Sequence, residues 1–296
     1  MHIKYFHILF FSKKKNLMTK HIGNLHKMAT TLANPVQYNL KLQEDIISIN
    51  AMIGKNIYIT FQNVINCKRC GRKTSKSFAQ GFCFPCFKNA PENAPCIIHP
   101  EKCEGHLGKG RDPEWEQKHH VQDHIVYLAV SSGLKVGVTR STQVPTRWID
   151  QGAWKAIALA KTPNRYLAGS IEVALKEHVS DKTQWQKMLK NEIPEGIDLA
   201  AEKEKMHALL PTDLQMYYAK NNDVTEINYP VLQYPTKVKS LTLDKTPTIQ
   251  NTLVGIKGQY LLFEDGSAFN VRRHTGYLVE IKIGETANLT EQGSLF

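Results

Sequence analysis

The stretch "HIVYLAVSSGLKVGVTRSTQVPTRWIDQGA", residues 124 to 153, decides how this chain folds. "HIVYLAV" and "LKVGVT" are rich in β-branched and aromatic residues and read as two strands joined by the turn "SSG". "QVPTRWIDQG" reads as a short helix, with Pro145 near its first turn and Gly152 as its stop. "AIALA" follows as a third strand. Strand, turn, strand, arginine-bearing helix and strand predict a small antiparallel sheet with flanking helices, an α+β arrangement.

The same reading extends outward. Residues 164 to 179, "NRYLAGSIEVALKEHV", form an amphipathic helix with Leu167, Ile171, Ala174, Leu175 and Val179 on its core face. Helical pattern continues through "TQWQKMLKN" and "LAAEKEKMHALL". Upstream, "VQYNLKL" and "NIYITF" read as strands. Beyond about residue 224 the chain turns strand-rich, with "EDGS" as a hairpin turn. This predicts a C-terminal antiparallel or barrel-like β domain, completed by the N-terminal strands. The expected units are an extension or misassigned start at 1–17 and an N-terminal β segment at 18–66. A zinc-binding segment at 67–120 and the α/β core at 121–192 follow. A helical connector spans 193–222, and the C-terminal β domain spans 223–296.

Lys and Arg outnumber Asp and Glu 38 to 27, giving a formal charge of +11. That excess points to an anionic partner, nucleic acid first, whether DNA or RNA. No segment reaches the roughly 18 apolar residues of a membrane helix. The N-terminal run from Tyr5 to Phe11 is short, precedes its lysines and lacks a cleavage site, so a secretion signal is not expected. The expected compartment is the cytoplasm.

Six cysteines are too few for a disulfide-built fold of 296 residues. In "CKRCGRKTSKSFAQGFCFPC", Cys67, Cys70, Cys83 and Cys86 form two CxxC pairs, the donor set of a closed, structural zinc site. Gly71 permits the knuckle turn, and Phe82 and Phe84 are placed to pack around it. The knuckle also displays Lys68, Arg69, Arg72 and Lys73, either a phosphate-binding face or a solvated basic loop. Cys96, Cys103 and His120 make a possible second zinc site, with His99 or His106 as the fourth ligand.

"VYL" at 126 to 128 and "KVG" at 135 to 137 resemble the two short strands of the GIY-YIG endonuclease superfamily. Arg147 matches that superfamily's arginine, Glu172 its metal-binding glutamate and Tyr127 the first-motif tyrosine. The resemblance implies phosphodiester hydrolysis assisted by Mg²⁺ or Mn²⁺, with Glu172 on the metal and Arg147 on the developing phosphorane charge. Lys135 stands where the second motif carries tyrosine; it and Arg140 are candidates for phosphate contact. From about Gly23 onward the chain is also similar to a bacterial domain-of-unknown-function family, number 2797. That likeness is carried by "CGRKTSKSFAQGFCFPCF", "DKTQWQKMLKNEI" and "GIKGQYLLFEDG", among other stretches. It implies no activity by itself. Three readings stay open: a metal-dependent nuclease, a nucleic-acid-binding module with a degraded catalytic set, and an adaptor with a protein partner on its C-terminal domain.

Overall fold

In the central segment, alternation along two neighbouring strands commits both faces of one sheet to burial. The computed structural model describes residues 19–43, 45–179 and 183–286; the extension read at 1–17 lies outside them. From the N-terminus come β1 (Thr19–Asn24), β2 (Ala29–Thr31), β3 (Gln37–Leu42), β4 (Asp45–Ser48), β5 (Lys55–Asn66) and β6 (Lys73–Thr74). The cysteine-rich stretch adds α1 (Phe84–Asn89) and α2 (Pro113–His120). Then follow β7 (His124–Val130), β8 (Leu134–Arg140), α3 (Thr146–Asp150), β9 (Lys155–Thr162) and α4 (Arg165–Leu175). Two helices, α5 (Trp185–Leu189) and α6 (Leu199–Ala208), lead to β10 (Thr225–Glu226) and β11 (Lys239–Leu241). The chain closes with β12 (Thr248–Lys257), β13 (Tyr260–Phe263), β14 (Ser267–Asn270) and β15 (Tyr277–Thr286).

The protein is a mixed α+β structure, with three sheets among the described residues. The central one is antiparallel, in the order β10–β9–β7–β8. Val126, Leu128 and Val130 turn to one side and pack with Ile171 and Leu175 of α4 and with Leu199 and Met206 of α6. Tyr127 and Ala129 turn to the other side, where they join Trp148 and Ile149 of α3 and the core of the large sheet. The central sheet is therefore a wall between two hydrophobic cores. Tyr127 lies opposite Gly137 in register, and a Cβ at Gly137 would stand 2.6 Å from the Tyr127 hydroxyl. The glycine of the second motif is thus the slot for the tyrosine of the first.

The large sheet runs β1–β15–β5–β12–β13–β14–β11, with β6 paired to β5. Strands from both ends of the chain share it, β15 lying between β1 and β5. Here the barrel expectation is corrected. Closure requires the two edge strands to pair, and β1 and β11 remain separate edges. Alternation specifies strands but not whether their sheet closes. The "EDGS" turn joins β13 to β14 with Gly266 at φ +77°, a conformation that favours glycine. A third sheet, β2–β3–β4, is formed by the N-terminal segment alone.

Helix α4 starts at Asn164, whose side chain accepts the Leu167 N–H at 2.9 Å. Its Gly169 lies against the backbone of the cysteine-rich stretch, where an added Cβ would sit 2.1 Å from the Glu101 nitrogen. Gly169→Ala must therefore push helix and loop apart. It is expected to cost about 1–3 kcal/mol in urea-denaturation midpoint, with an unchanged m-value.

Candidate metal centres and the basic cleft

Cys67, Cys70, Cys83 and Cys86 bring one sulfur each into a group lying within 4.8 Å of one another, and all four are free thiols. Gly71, at φ +70°, lets its N–H return to the Cys67 carbonyl, and the Cys67 N–H reaches the Arg72 carbonyl. Burial raises the Cys67 thiol, but N–H groups of Cys70, Cys83 and Arg69 outweigh it and bring the thiol down to about 6. Burial and the neighbouring thiols push Cys86 up to about 12, since the cluster shares protons that a cation would displace. This donor set could hold a metal ion such as zinc, closed by four thiolates. Phe82 is buried against it, whereas Phe84 is half exposed and tilts onto Phe78 at 5.5 Å.

A second group unites Cys96, Cys103, Glu116 and His120, all buried, with donor atoms again within 4.8 Å of one another. The imidazole Nδ1 of His120 lies 3.5 Å from the Cys103 sulfur and 3.9 Å from that of Cys96. Glu116, one helical turn before His120 on α2, is 1 % exposed; its Oε2 pairs with the His120 Nδ1, and Oε1 has no hydrogen-bond partner. A buried carboxylate oxygen without a donor is costly unless a cation completes it. Contact with the Cys96 thiol, helped by His120, brings Cys103 down to about 4 against the cost of burial, while Cys96 is pushed up. Two sulfurs, one imidazole nitrogen and one carboxylate suit zinc.

The fourth member is thus Glu116 and not His99 or His106. His99 faces Glu101 at 3.4 Å and His106 stacks on Tyr166 at 4.8 Å. The missed signal was an Asp–Pro helix start at Asp112 and Pro113, which places Glu116 and His120 on one face. Arg165 fixes the loop behind this site, donating to the carbonyls of Cys96 at 2.8 Å and Ile97 at 2.9 Å.

The motif residues converge, but inside the protein. Tyr127 is fully buried and donates to Gln151 Oε1 at 2.8 Å. Burial raises its hydroxyl, the adjacent Arg147 guanidinium opposes that, and Glu172 lies within electrostatic reach. Glu172 is 8 % exposed and stands 3.7 Å from Lys176 on its own helix. Lys135 is 4 % exposed and donates to Thr183 Oγ1 at 3.3 Å, so it faces packing and not an open basic surface. Arg140 is half-buried.

The knuckle's basic residues divide. Lys68 and Arg69 line a cleft of about 560 Å³ together with Lys27, Lys41, Arg272 and Thr275. Arg72 and Lys73 are exposed outside it. Within the cleft Arg69 pairs with Glu92 and Lys27 with Asp150, while Lys68 lies over the Phe82 ring at 4.0 Å.

These features define an α+β protein with two candidate metal centres, the first of them beside a basic cleft. By sequence the chain belongs to the family described as protein of unknown function (DUF2797), whose model matches residues 54–279. Both donor groups, the central sheet and Arg272 fall inside that match. No curated protein matches the chain, and no solved structure does. No helix among the described residues is long and apolar enough to cross a membrane.

Elemental analysis is expected to find two zinc ions per chain, one for each donor group. Cys83→Ser should remove one of them, and Glu116→Gln should weaken retention of the other against a chelator by roughly 10–100-fold or more. Each variant should leave the remaining site loaded.

Proposed function

We propose that this is a zinc-stabilised nucleic-acid-binding protein of the cytoplasm, whose GIY-YIG-like sheet serves as a scaffold for binding and not for cleavage. The observation that carries this reading is the contrast between the motif and the cleft. Tyr127, Lys135 and Glu172 are buried among protein partners. The open surface beside the cysteine knuckle is lined by Lys27, Lys41, Lys68, Arg69 and Arg272; Asp150 pairs with Lys27 and Glu92 with Arg69, which leaves the other three without an ion pair among the described residues.

Support for the GIY-YIG likeness comes from the antiparallel order β9–β7–β8 and from Arg147, carried by the next helix to the Tyr127 hydroxyl. The same proximity favours the second reading, a nuclease using Mg²⁺ or Mn²⁺ at Glu172. A base or metal ligand must reach substrate, and the buried Tyr127 bonded to Gln151 weighs against that role. The adaptor reading has less support. Among the described residues after 223, Val224 and Leu232 are the exposed large apolar side chains, and scattered residues of that kind do not form a docking patch.

The distinguishing experiment incubates zinc-loaded protein with single-stranded, duplex and branched DNA and RNA, with and without Mg²⁺ or Mn²⁺. Binding should weaken steeply between about 50 and 200 mM salt, with no strand cut and with Glu172→Gln binding like the parent. Metal-dependent cutting that disappears in both Arg147→Ala and Glu172→Gln would establish the nuclease instead.

A further inference from the structure

Arg272 is a charge that neither metal centre nor any ion pair among the described residues accounts for. It sits on the short turn after β14, half-buried, and its guanidinium has no hydrogen bond or ion pair among the described residues. Arginine cannot shed its proton to relieve such a position. Burial and the nearby Arg147 both weigh against its charge, and Asp150 offsets them only in part.

The turn that presents Arg272 is held firmly. His274 receives the Leu243 N–H on Nε2 at 3.2 Å, Asn270 Oδ1 takes the Arg273 N–H at 2.9 Å, and Thr275 Oγ1 donates to the Arg272 carbonyl at 2.8 Å. The cysteine knuckle is pressed against this turn at Gly81, where a Cβ would lie 2.9 Å from Lys68 Cδ and 3.0 Å from Thr275 Cγ2. Lys68 and Arg272 thus meet across the cleft because Gly81 has no side chain. Lys41 faces the same opening from β3, without an ion pair among the described residues. Lys68 and Arg272 are brought together at this opening by the packing of the knuckle on the turn, and the exposed Lys41 adds a third like charge, so the opening favours an anion.

We infer that the opening between Lys41, Lys68 and Arg272 is a phosphate-binding site, with the Arg272 fork as its anchor. That its occupant is the backbone of a nucleic-acid strand rests on the function proposed above. Arg272 supplies paired N–H donors suited to a phosphate, and the two lysines supply point charges. Phe82 in the cleft wall is buried and has its ring face covered by Lys68, so it offers no stacking platform to a base. The site grips phosphate and reads no base, so binding should be indifferent to sequence.

The test measures fluorescence anisotropy of labelled single-stranded DNA and RNA of mixed sequence. Arg272→Gln and Lys41→Gln are compared with Lys220→Gln, which removes one exposed charge outside the cleft. Melting temperature and zinc content check that each variant is folded. Each cleft variant should weaken binding roughly tenfold or more and lower the salt slope by about one, while Lys220→Gln binds like the parent. Arg272→Lys should recover binding in part. If the parent binds and the cleft variants weaken it no more than Lys220→Gln, the site is wrong and the nucleic-acid reading stands. If the parent binds no strand, that reading fails, and calorimetry with inorganic pyrophosphate judges the cleft alone. Pyrophosphate binding lost in Arg272→Gln keeps the phosphate site; absence of any binding overturns it.

Discussion

Sulfur atoms gathered within 4.8 Å of one another repel as thiolates and attract little as thiols, so the arrangement around Cys67 is one that a cation would stabilise. The apolar cluster there consists, apart from the cysteines, of Phe82 and Ala90 with Phe87 packed beside them. So small a cluster cannot offset about 1–2 kcal/mol of backbone ordering per residue. A structural zinc ion contributes about 10–16 kcal/mol in small peptides, enough to decide whether such a segment folds. The second group has the same logic in a more buried setting. Ala94 clusters with its two cysteines, and one oxygen of its carboxylate has no hydrogen-bond partner. The two centres set where the cysteine-rich stretch lies, and that stretch forms one wall of the cleft.

The central sheet sets Tyr127 by packing alone. Tyr127 needs Gly137 opposite it for steric reasons alone, and its hydroxyl is committed to Gln151. Trp148 packs edge-on against the Tyr127 ring at 6.0 Å, anchoring α3 to the sheet. The arrangement that gives a catalytic tyrosine its position also gives a buried tyrosine its packing. What separates the two is access to solvent, and the pattern of residues does not encode it.

The elements written in local periodicity were legible: β7 and β8 from alternation, α4 from its apolar face and the four-cysteine group from two CxxC pairs. Glu116 was hidden by expectation, because Gly and Pro around residues 108–113 suggested loop while Asp112 and Pro113 begin a helix. Lys135 was misleading for a different reason. A lysine in a strand reads as a solvent-facing charge, yet the face it shares with Tyr127 and Ala129 is packed. Arg272 was beyond sequence reasoning, since its relation to Lys68 exists only because β15 pairs with β5 and brings two distant turns together.

Charge balance separates the cations of the cleft. A dication held by four thiolates carries two net negative charges, and cations close by would be favoured for that reason alone. Lys68 and Arg69 lie in the knuckle itself, and Arg69 already has Glu92, so their presence is accounted for without any ligand. Lys27 is accounted for by Asp150, which also accepts from Gln259 at 2.9 Å. Arg272 differs. The charges that bear on it are Arg147, Asp150 and Lys68, and none of the cysteines is among them. It sits half-buried on a turn held by hydrogen bonds, and Arg147 and Lys68 outnumber Asp150 around it. Neither metal centre explains a guanidinium held in that position. An anion entering from solvent does, and the nearest route for one is the cleft that Arg272 lines.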